Sequence, residues 1–285
     1  MIGLRAALAD IAARLADSGI TDARREARIL LAAALGIDTT RLQLVDQIDP
    51  ARYQAHLQRR AAREPMAYIT GRREFWGLEF EVSPATLIPR PDSETLIQAA
   101  LAECPAPSRI LDLGTGTGCL LLALLSERPA AFGVGVDVAP AAAHLAARNA
   151  QRLGLSTRAG FIAGDWAAAL SGPFDLILSN PPYITQADMI DLMPEVAGFE
   201  PACALDGGPD GLDAYRAILQ ALPSLLGPGA VAVLEIGAGQ ALDLADLAGF
   251  YGFSAVFRAD LAGIERAAIL RRTEDGEKTF GMNPR

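Results

Sequence analysis

Along the first 65 residues, apolar positions recur at intervals of three and four; beyond residue 108 they gather into short unbroken runs. Leu4, Leu8, Ile11 and Leu15 lay a helical stripe on residues 3–16. Residues 21–26 read as a helix start ahead of Ile29, Leu30, Leu31 and Leu35, and Gly36 closes that helix. Residues 39–45 form a short helix candidate and residues 50–63 an Arg-rich one. Together they predict a small N-terminal helical domain, residues 1–66, without a catalytic constellation and suited to holding a partner. Residues 67–71 and 78–82 read as strands around 72–77, so residues 67–83 are expected to be a β-hairpin linker. Three prolines within residues 84–91 hold the next segment extended, and Asp92, Ser93 and Glu94 open a helix running to Leu101.

From there strands alternate with helices. Residues 109–113, 133–137, 160–164, 174–179 and 230–236 are the strands. This alternation predicts an α/β fold, a mostly parallel Rossmann-like sheet with helices on both faces, over residues 84–272. Residues 255–270 supply a closing antiparallel hairpin, and the polar residues 273–285 read as a frayed tail.

Residues 111–118, Leu-Asp-Leu-Gly-Thr-Gly-Thr-Gly, sit between a strand and a helix. Gly114, Gly116 and Gly118 let the backbone approach a ligand closely, and the helix start behind them offers free N–H groups to an anion. Thr115 and Thr117 complete the loop. The G-x-G-x-G spacing, with Cys119 where a dinucleotide fingerprint wants a small residue, suits S-adenosylmethionine better than a nicotinamide dinucleotide. Asp137, 19 residues beyond Gly118 at the tip of the second strand, is placed to accept hydrogen bonds from a ribose. Asp165 and Trp166 end the third strand, where an acid can meet the exocyclic amine of adenine and an aromatic its face.

The fourth strand ends in Asn180-Pro181-Pro182-Tyr183. The two prolines lack N–H groups, so their carbonyls can face a pocket. Asn180 both donates and accepts, and Tyr183 offers a flat face to a flat group. Such a box points to methylation of a nitrogen whose lone pair is conjugated, with Asn180, Pro181, Pro182 and Tyr183 touching the substrate. The Gly-, Pro- and acid-rich stretch 194–212 that follows is expected to wall the substrate cleft.

With 51% apolar residues the 285-residue chain can bury a full core. No run of 18 apolar residues suggests a membrane span, and the charged start does not read as a signal peptide. Cys104, Cys119 and Cys203 have no metal or redox spacing and fit a reducing cytoplasm. His56 and His144 stand far apart, so no metal site is expected. The net charge of −9 is divided unevenly: residues 1–75 carry 12 Arg against 9 acids, and the rest 13 basic against 25 acidic residues. The acidic catalytic part argues against gripping nucleic-acid phosphates, while the mildly basic helical part suits an acidic protein partner.

Several stretches together resemble the protein N5-glutamine methyltransferases of the PrmC/HemK family over roughly residues 5–271. They are residues 64–71 (Glu-Pro-Met-Ala-Tyr-Ile-Thr-Gly), 74–77 (Glu-Phe-Trp-Gly), 87–91 (Leu-Ile-Pro-Arg-Pro), the glycine loop, 179–184 (Ser-Asn-Pro-Pro-Tyr-Ile), 206–212 and 260–263 (Asp-Leu-Ala-Gly). The resemblance implies a class I S-adenosylmethionine-dependent methyltransferase. Its expected substrate is the Gln of the Gly-Gly-Gln motif in class I peptide chain release factors, methylated on the side-chain amide nitrogen, with consequences for translation termination. Asn180, Pro181 and Tyr183 would be the catalytic residues. Asn180 and the glycine-loop residues, with Asp137, Asp165 and Trp166, would hold the cofactor. No direct nucleic-acid contact is expected. Cys119 and the tail after Arg272 depart from the family pattern. An adenine-N6 methyltransferase shares the Asn-Pro-Pro-Tyr box and is the alternative. It calls for a basic cleft, which the charge balance does not provide. A non-catalytic docking module predicts degraded motifs, and here they are intact.

Overall fold

The protein is described by a computed structural model covering residues 1–168 and 170–273. The expected tail therefore lies, from residue 274 on, outside the described residues. The chain opens with β1 (Ile2–Gly3), α1 (Leu4–Asp17), α2 (Ala23–Leu35), β2 (Gln47–Ile48) and α3 (Ala51–Ala61), with a 3₁₀ turn over Thr39–Leu44. The strand pair β1–β2 is antiparallel. The helical stripe holds in its second half: Ile11 and Leu15 of α1, with Ala7, are buried against Leu30 and Leu31 of α2 and Tyr53 and Leu57 of α3 in a core of their own, while Leu4 and Leu8 are only partly buried at its margin. Gly36 ends α2 at φ 68°, a conformation that costs glycine little.

Next come α4 (Met66–Thr70), β3 (Arg72–Phe75) and β4 (Leu78–Glu81). Here the sequence reading is corrected: residues 67–71 are not a strand but the helix α4. Consecutive Tyr68 and Ile69 are both buried, which one helical turn allows and strand alternation opposes. Their N–H groups both reach the Pro65 carbonyl, and Gly71 at φ 73° stops the turn. The hairpin survives, moved along by several residues. Phe75 faces Leu78 across a two-residue turn whose members, Trp76 and Gly77, have φ 55° and 70°, the sign that a tight hairpin turn demands.

The remainder runs α5 (Glu94–Glu103), β5 (Arg109–Leu113), α6 (Cys119–Glu127), β6 (Phe132–Asp137), α7 (Pro140–Arg152), β7 (Ala159–Ala163), β8 (Phe174–Ser179), α8 (Pro194–Ala197), α9 (Asp213–Leu225), β9 (Leu226–Glu235), α10 (Ala241–Phe250), β10 (Phe253–Ala259) and β11 (Glu265–Arg272). Seven strands form one sheet in the order β7-β6-β5-β8-β9-β11-β10. The first five are mutually parallel, and β11 and β10 close the edge antiparallel. Alternate residues feed two cores. Ile110, Leu176, Leu178, Val231 and Val233 point to one face, with α5 and α6; Leu111, Leu113, Ile177, Ala232 and Leu234 point to the other, with α9 and α10. Each fully buried Leu or Ile contributes roughly 1.5–3 kcal/mol, and the two layers fix the sheet between them. Strand order reverses between β5 and β8, which makes their carboxyl ends the place where a ligand crevice opens.

Two buried polar contacts tie the outlying elements to this frame. Asn149 on α7 accepts from the Glu81 N–H and donates to the Glu81 and Thr117 carbonyls, so one side chain links the hairpin to the glycine loop. Arg60 on α3 holds Glu26 of α2 and Glu195 of α8 together. No helix among the described residues is long and apolar enough to cross a membrane.

Candidate active site

The loop after β5 is bent by its glycines. Gly114, Gly116 and Gly118 have φ 72°, 53° and 80°. The Gly114 and Thr115 N–H groups both donate to the Val136 carbonyl at 2.9 Å, and Gly118 donates to the Thr115 carbonyl at 2.8 Å. Thr115 Oγ1 donates to Asp112 Oδ2 at 2.6 Å. Asp112 is fully buried and its Oδ1 has no partner. Burial, with Asp137 nearby, pushes the Asp112 carboxyl up to about 7, against the pull of the Thr115 hydrogen bond. At the tip of β6, Asp137 accepts from the Gly116 N–H at 2.8 Å and from the Ala139 N–H at 2.9 Å. The carboxylate thus braces the loop, and its remaining lone pairs stay free for a ligand.

Loop and strand ends enclose a cavity of about 270 Å³. Gly114, Thr115, Gly116, Thr117, Asp137, Asp165, Trp166, Asn180 and Pro182 all line it. Trp166 holds φ 44°, a strained value for so bulky a residue. A Cβ placed on Gly114 would lie 3.9 Å from its ring. The lining also includes Ala85, Thr86, Leu87, Pro89, Arg90 and Ser93, and Pro201, Cys203 and Ala204. Glu200 fastens these two segments: its buried carboxylate accepts from the Ile88 N–H at 3.0 Å and from Arg90 Nη2 at 2.5 Å. The Thr86 hydroxyl is buried without a partner.

Asn180 follows β8. Its Nδ2 donates to Ser93 Oγ at 3.2 Å, and its Oδ1 accepts nothing among the described residues. Tyr183 donates its hydroxyl to Glu235 Oε1 at 3.3 Å, while its own carbonyl accepts from Gln240 Nε2 at 3.1 Å. Burial, and then the Glu235 charge, raise the Tyr183 phenol well above its ordinary range, so this ring acts as a neutral donor.

Comparison with known proteins covers most of the chain. A family model described as the PrmC N-terminal domain matches residues 6–71, and one described as the methyltransferase small domain matches residues 91–196. The release factor glutamine methyltransferase of Rhodospirillum rubrum is 48% identical over 270 residues, 92% of this chain and 83% of that one. The protein of the same name from Cereibacter sphaeroides is 50% identical, over 90% of this chain and 94% of its own. This chain belongs to the release factor glutamine methyltransferase family. Accordingly it is an S-adenosylmethionine-dependent methyltransferase. Among solved structures, the hMettl16 catalytic domain in complex with a MAT2A 3'UTR hairpin superposes with a TM-score of 0.58 at 17% identity, over 76% of this chain and 82% of that one. A methyltransferase from Pyrococcus furiosus superposes with a TM-score of 0.52 at 20% identity, over 68% and 88%. At such identities the likeness is one of fold.

Among family features, the cavity's donor set fits the methyl donor. Bent glycine backbone, the partnerless Thr86 hydroxyl and the carboxylates of Asp137 and Asp165 line it with groups that would suit a charged nucleoside, and Trp166 adds a flat face. Three residues expected at the site do not line this cavity: Gly118 is the buried cap of α6, Pro181 is buried in the turn, and Tyr183 lies among the residues packed on the α9 side of the sheet. Sequence reasoning passed over Arg90, Thr86, Ser93, Glu200 and Glu235. Glu235 left one trace, an acid directly after a run of five apolar residues, 230–234.

Proposed function

We propose that this enzyme methylates the side-chain amide nitrogen of the glutamine in the Gly-Gly-Gln motif of class I peptide chain release factors, a cytoplasmic protein substrate, without contacting nucleic acid directly. The observation that carries the reading is Asn180: it lines the cofactor cavity, its NH₂ is occupied by Ser93, and its carbonyl oxygen is open. An open acceptor at that point suits a primary amide, whose NH₂ is a donor. The Pro181 carbonyl, which accepts nothing among the described residues, is the second acceptor for the same group. Tyr183 flanks the turn and, held by Glu235 through its hydroxyl, steadies the backbone that carries the two acceptors. In this division of labour residues 1–66 bind the substrate protein, 67–83 link, and 84–272 perform the transfer.

An amide nitrogen is a weak nucleophile because its lone pair is delocalised, strongly enough to raise a rotation barrier of about 18–20 kcal/mol. S-adenosylmethionine would supply, when bound, a methyl group on a sulfonium centre, its S–CH₃ bond breaking to leave a neutral thioether as the amide nitrogen takes the methyl; one proton of that nitrogen passes to water. The protein's part is placement. Two acceptors on the two N–H groups aim the nitrogen and favour its rehybridisation. Orientation of this kind contributes roughly 7–11 kcal/mol. Gly114, Thr115, Gly116 and Thr117, with Asp137, Asp165 and Trp166, would hold the donor, and Gly118 shapes the loop as the cap of α6.

The test is transfer of labelled methyl from S-adenosylmethionine to purified release factor, with a Gly-Gly-Ala factor and duplex DNA as controls. Label on the Gly-Gly-Gln factor alone is the expected outcome. Label on DNA would replace this reading with an adenine-N6 activity.

A further inference from the structure

Three side chains from separate stretches form one continuous hydrogen-bond chain. Asn180 Nδ2 donates to Ser93 Oγ at 3.2 Å, and Ser93 Oγ donates to Glu235 Oε2 at 2.5 Å. The Tyr183 hydroxyl occupies the other carboxylate oxygen. Ser93 and Glu235 are each only 2% exposed, so water does not substitute for either partner.

The direction of this chain is dictated by its buried end. An ionised carboxylate only accepts, and a hydroxyl has a single proton. Ser93 gives that proton to Glu235 and is left able only to accept from Asn180. Asn180 must then turn its NH₂ toward Ser93, and its oxygen faces the cavity. We propose that Ser93 and Glu235 are positioning residues that fix the flip of the Asn180 amide, so that Oδ1 meets the substrate amide. What Oδ1 meets rests on the glutamine reading; the orientation itself does not. A flipped Asn180 would set one NH₂ donor against another and leave the substrate nitrogen unaimed.

The same geometry predicts a pH dependence. Burial pushes the Glu235 carboxyl up to about 7, against the Ser93 and Tyr183 hydrogen bonds and the Arg266 charge, with Asp92 adding to the rise. The groups around it are Ser93 and Asp92 from the turn before α5, Tyr183 after β8, Arg266 of β11, Cys119 of α6, and Tyr215 of α9, whose hydroxyl holds the Glu235 backbone carbonyl at 2.8 Å. Once Glu235 is protonated it can donate to Ser93. Ser93 is then free to donate to Asn180 Oδ1, and both flips become available. Turnover should therefore fall as pH drops through about 7.

The experiment compares wild type with Glu235→Gln, Ser93→Ala and the double variant. A Gln at 235 keeps the shape but can donate or accept, so it no longer dictates direction. Expected are a kcat at least tenfold lower for each single variant at pH 8, an S-adenosylmethionine affinity that falls far less than kcat, a melting temperature that does not fall in Glu235→Gln and loss of the limb near pH 7 in that variant. The double variant should be no worse than the worse single, because the two residues act in series. Losses that multiply, a kcat within twofold of wild type, or melting and cofactor binding that fall in step with kcat would each overturn the proposal. A second readout is independent of the substrate: the Asn180 side-chain NH₂ should be protected from proton exchange in wild type and lose protection in Glu235→Gln. Wild type that labels no release factor would refute the function reading, and the exchange measurement would still decide the orientation.

Discussion

Removing Arg60 should separate the helical part of the molecule from the catalytic part. Its guanidinium, 6% exposed, grips Glu26 through Nε at 2.5 Å and Nη2 at 3.1 Å, and reaches Glu195 Oε1 at 3.2 Å. It also donates to the Glu64 carbonyl at 3.2 Å. Glu195 keeps one further cation, Arg63, at 2.7 Å. Arg60→Met retains much of the volume but leaves two carboxylates, 20% and 17% exposed, facing each other across the gap. Breaking a buried pair by removing one partner costs about 3–5 kcal/mol. Both acids retain some contact with water, so about 3 kcal/mol is expected. Urea unfolding can be followed by two signals. The only tryptophans, Trp76 and Trp166, lie outside the helical cluster, so fluorescence reports the catalytic part, and circular dichroism reports both. In Arg60→Met the dichroism midpoint should move below the fluorescence midpoint. Neutralising the orphans as well, in Glu26→Gln/Arg60→Met/Glu195→Gln, should recover most of the loss. A change under about 1 kcal/mol for Arg60→Met, or a triple variant no better than the single, would refute the idea that a desolvated ion network joins the two parts.

Three further outcomes follow from the site. Asn180→Ala should lower kcat by two orders of magnitude or more while calorimetry shows nearly unchanged S-adenosylmethionine affinity; a normal kcat would remove Asn180 from the chemistry. Asp137→Ala takes away the brace on Gly116 and, on the proposed reading, the ribose acceptor, and should weaken cofactor binding at least tenfold in the same assay; unchanged binding would move the ribose contact elsewhere. Asp112→Asn should make stability less dependent on pH. Because burial raises the Asp112 carboxyl from 3.8 to about 7, the folded state binds more protons than the unfolded one between those values. Native stability is therefore lost as pH rises through that window. The variant's advantage should grow from pH 4 to 7 and level off above, at ~4 kcal/mol at most; denaturation curves at pH 5 and 8 that shift in parallel would count against it.

What could be read from the sequence, and what could not, divides along the range of the interactions. The glycine loop, Asp137 and the Asn180 turn were legible because their geometry is local: positive φ at Gly114, Gly116 and Gly118 and the strand-tip position of Asp137 follow from a few neighbouring letters. The residues 67–71 were misread for a related reason. Tyr68 and Ile69 carry strand-forming side chains, and only the Pro65 carbonyl and Gly71 at φ 73° show that one helical turn stands there. Ser93 and Glu235 lie 142 positions apart, and nothing near either one announces the other. Their pairing exists because the turn before α5 is packed against the carboxyl end of β9, which is a property of the assembled sheet. The same holds for Glu200, whose two partners sit 112 and 110 positions upstream. On the proposed reading the motif residues are where the methyl donor and substrate would meet, and the long-range buried acids hold those residues in one orientation. An acid at the end of an otherwise apolar strand is the one local sign of that second group. In Glu235 that sign is explained by the hydroxyls of Ser93 and Tyr183 that it accepts.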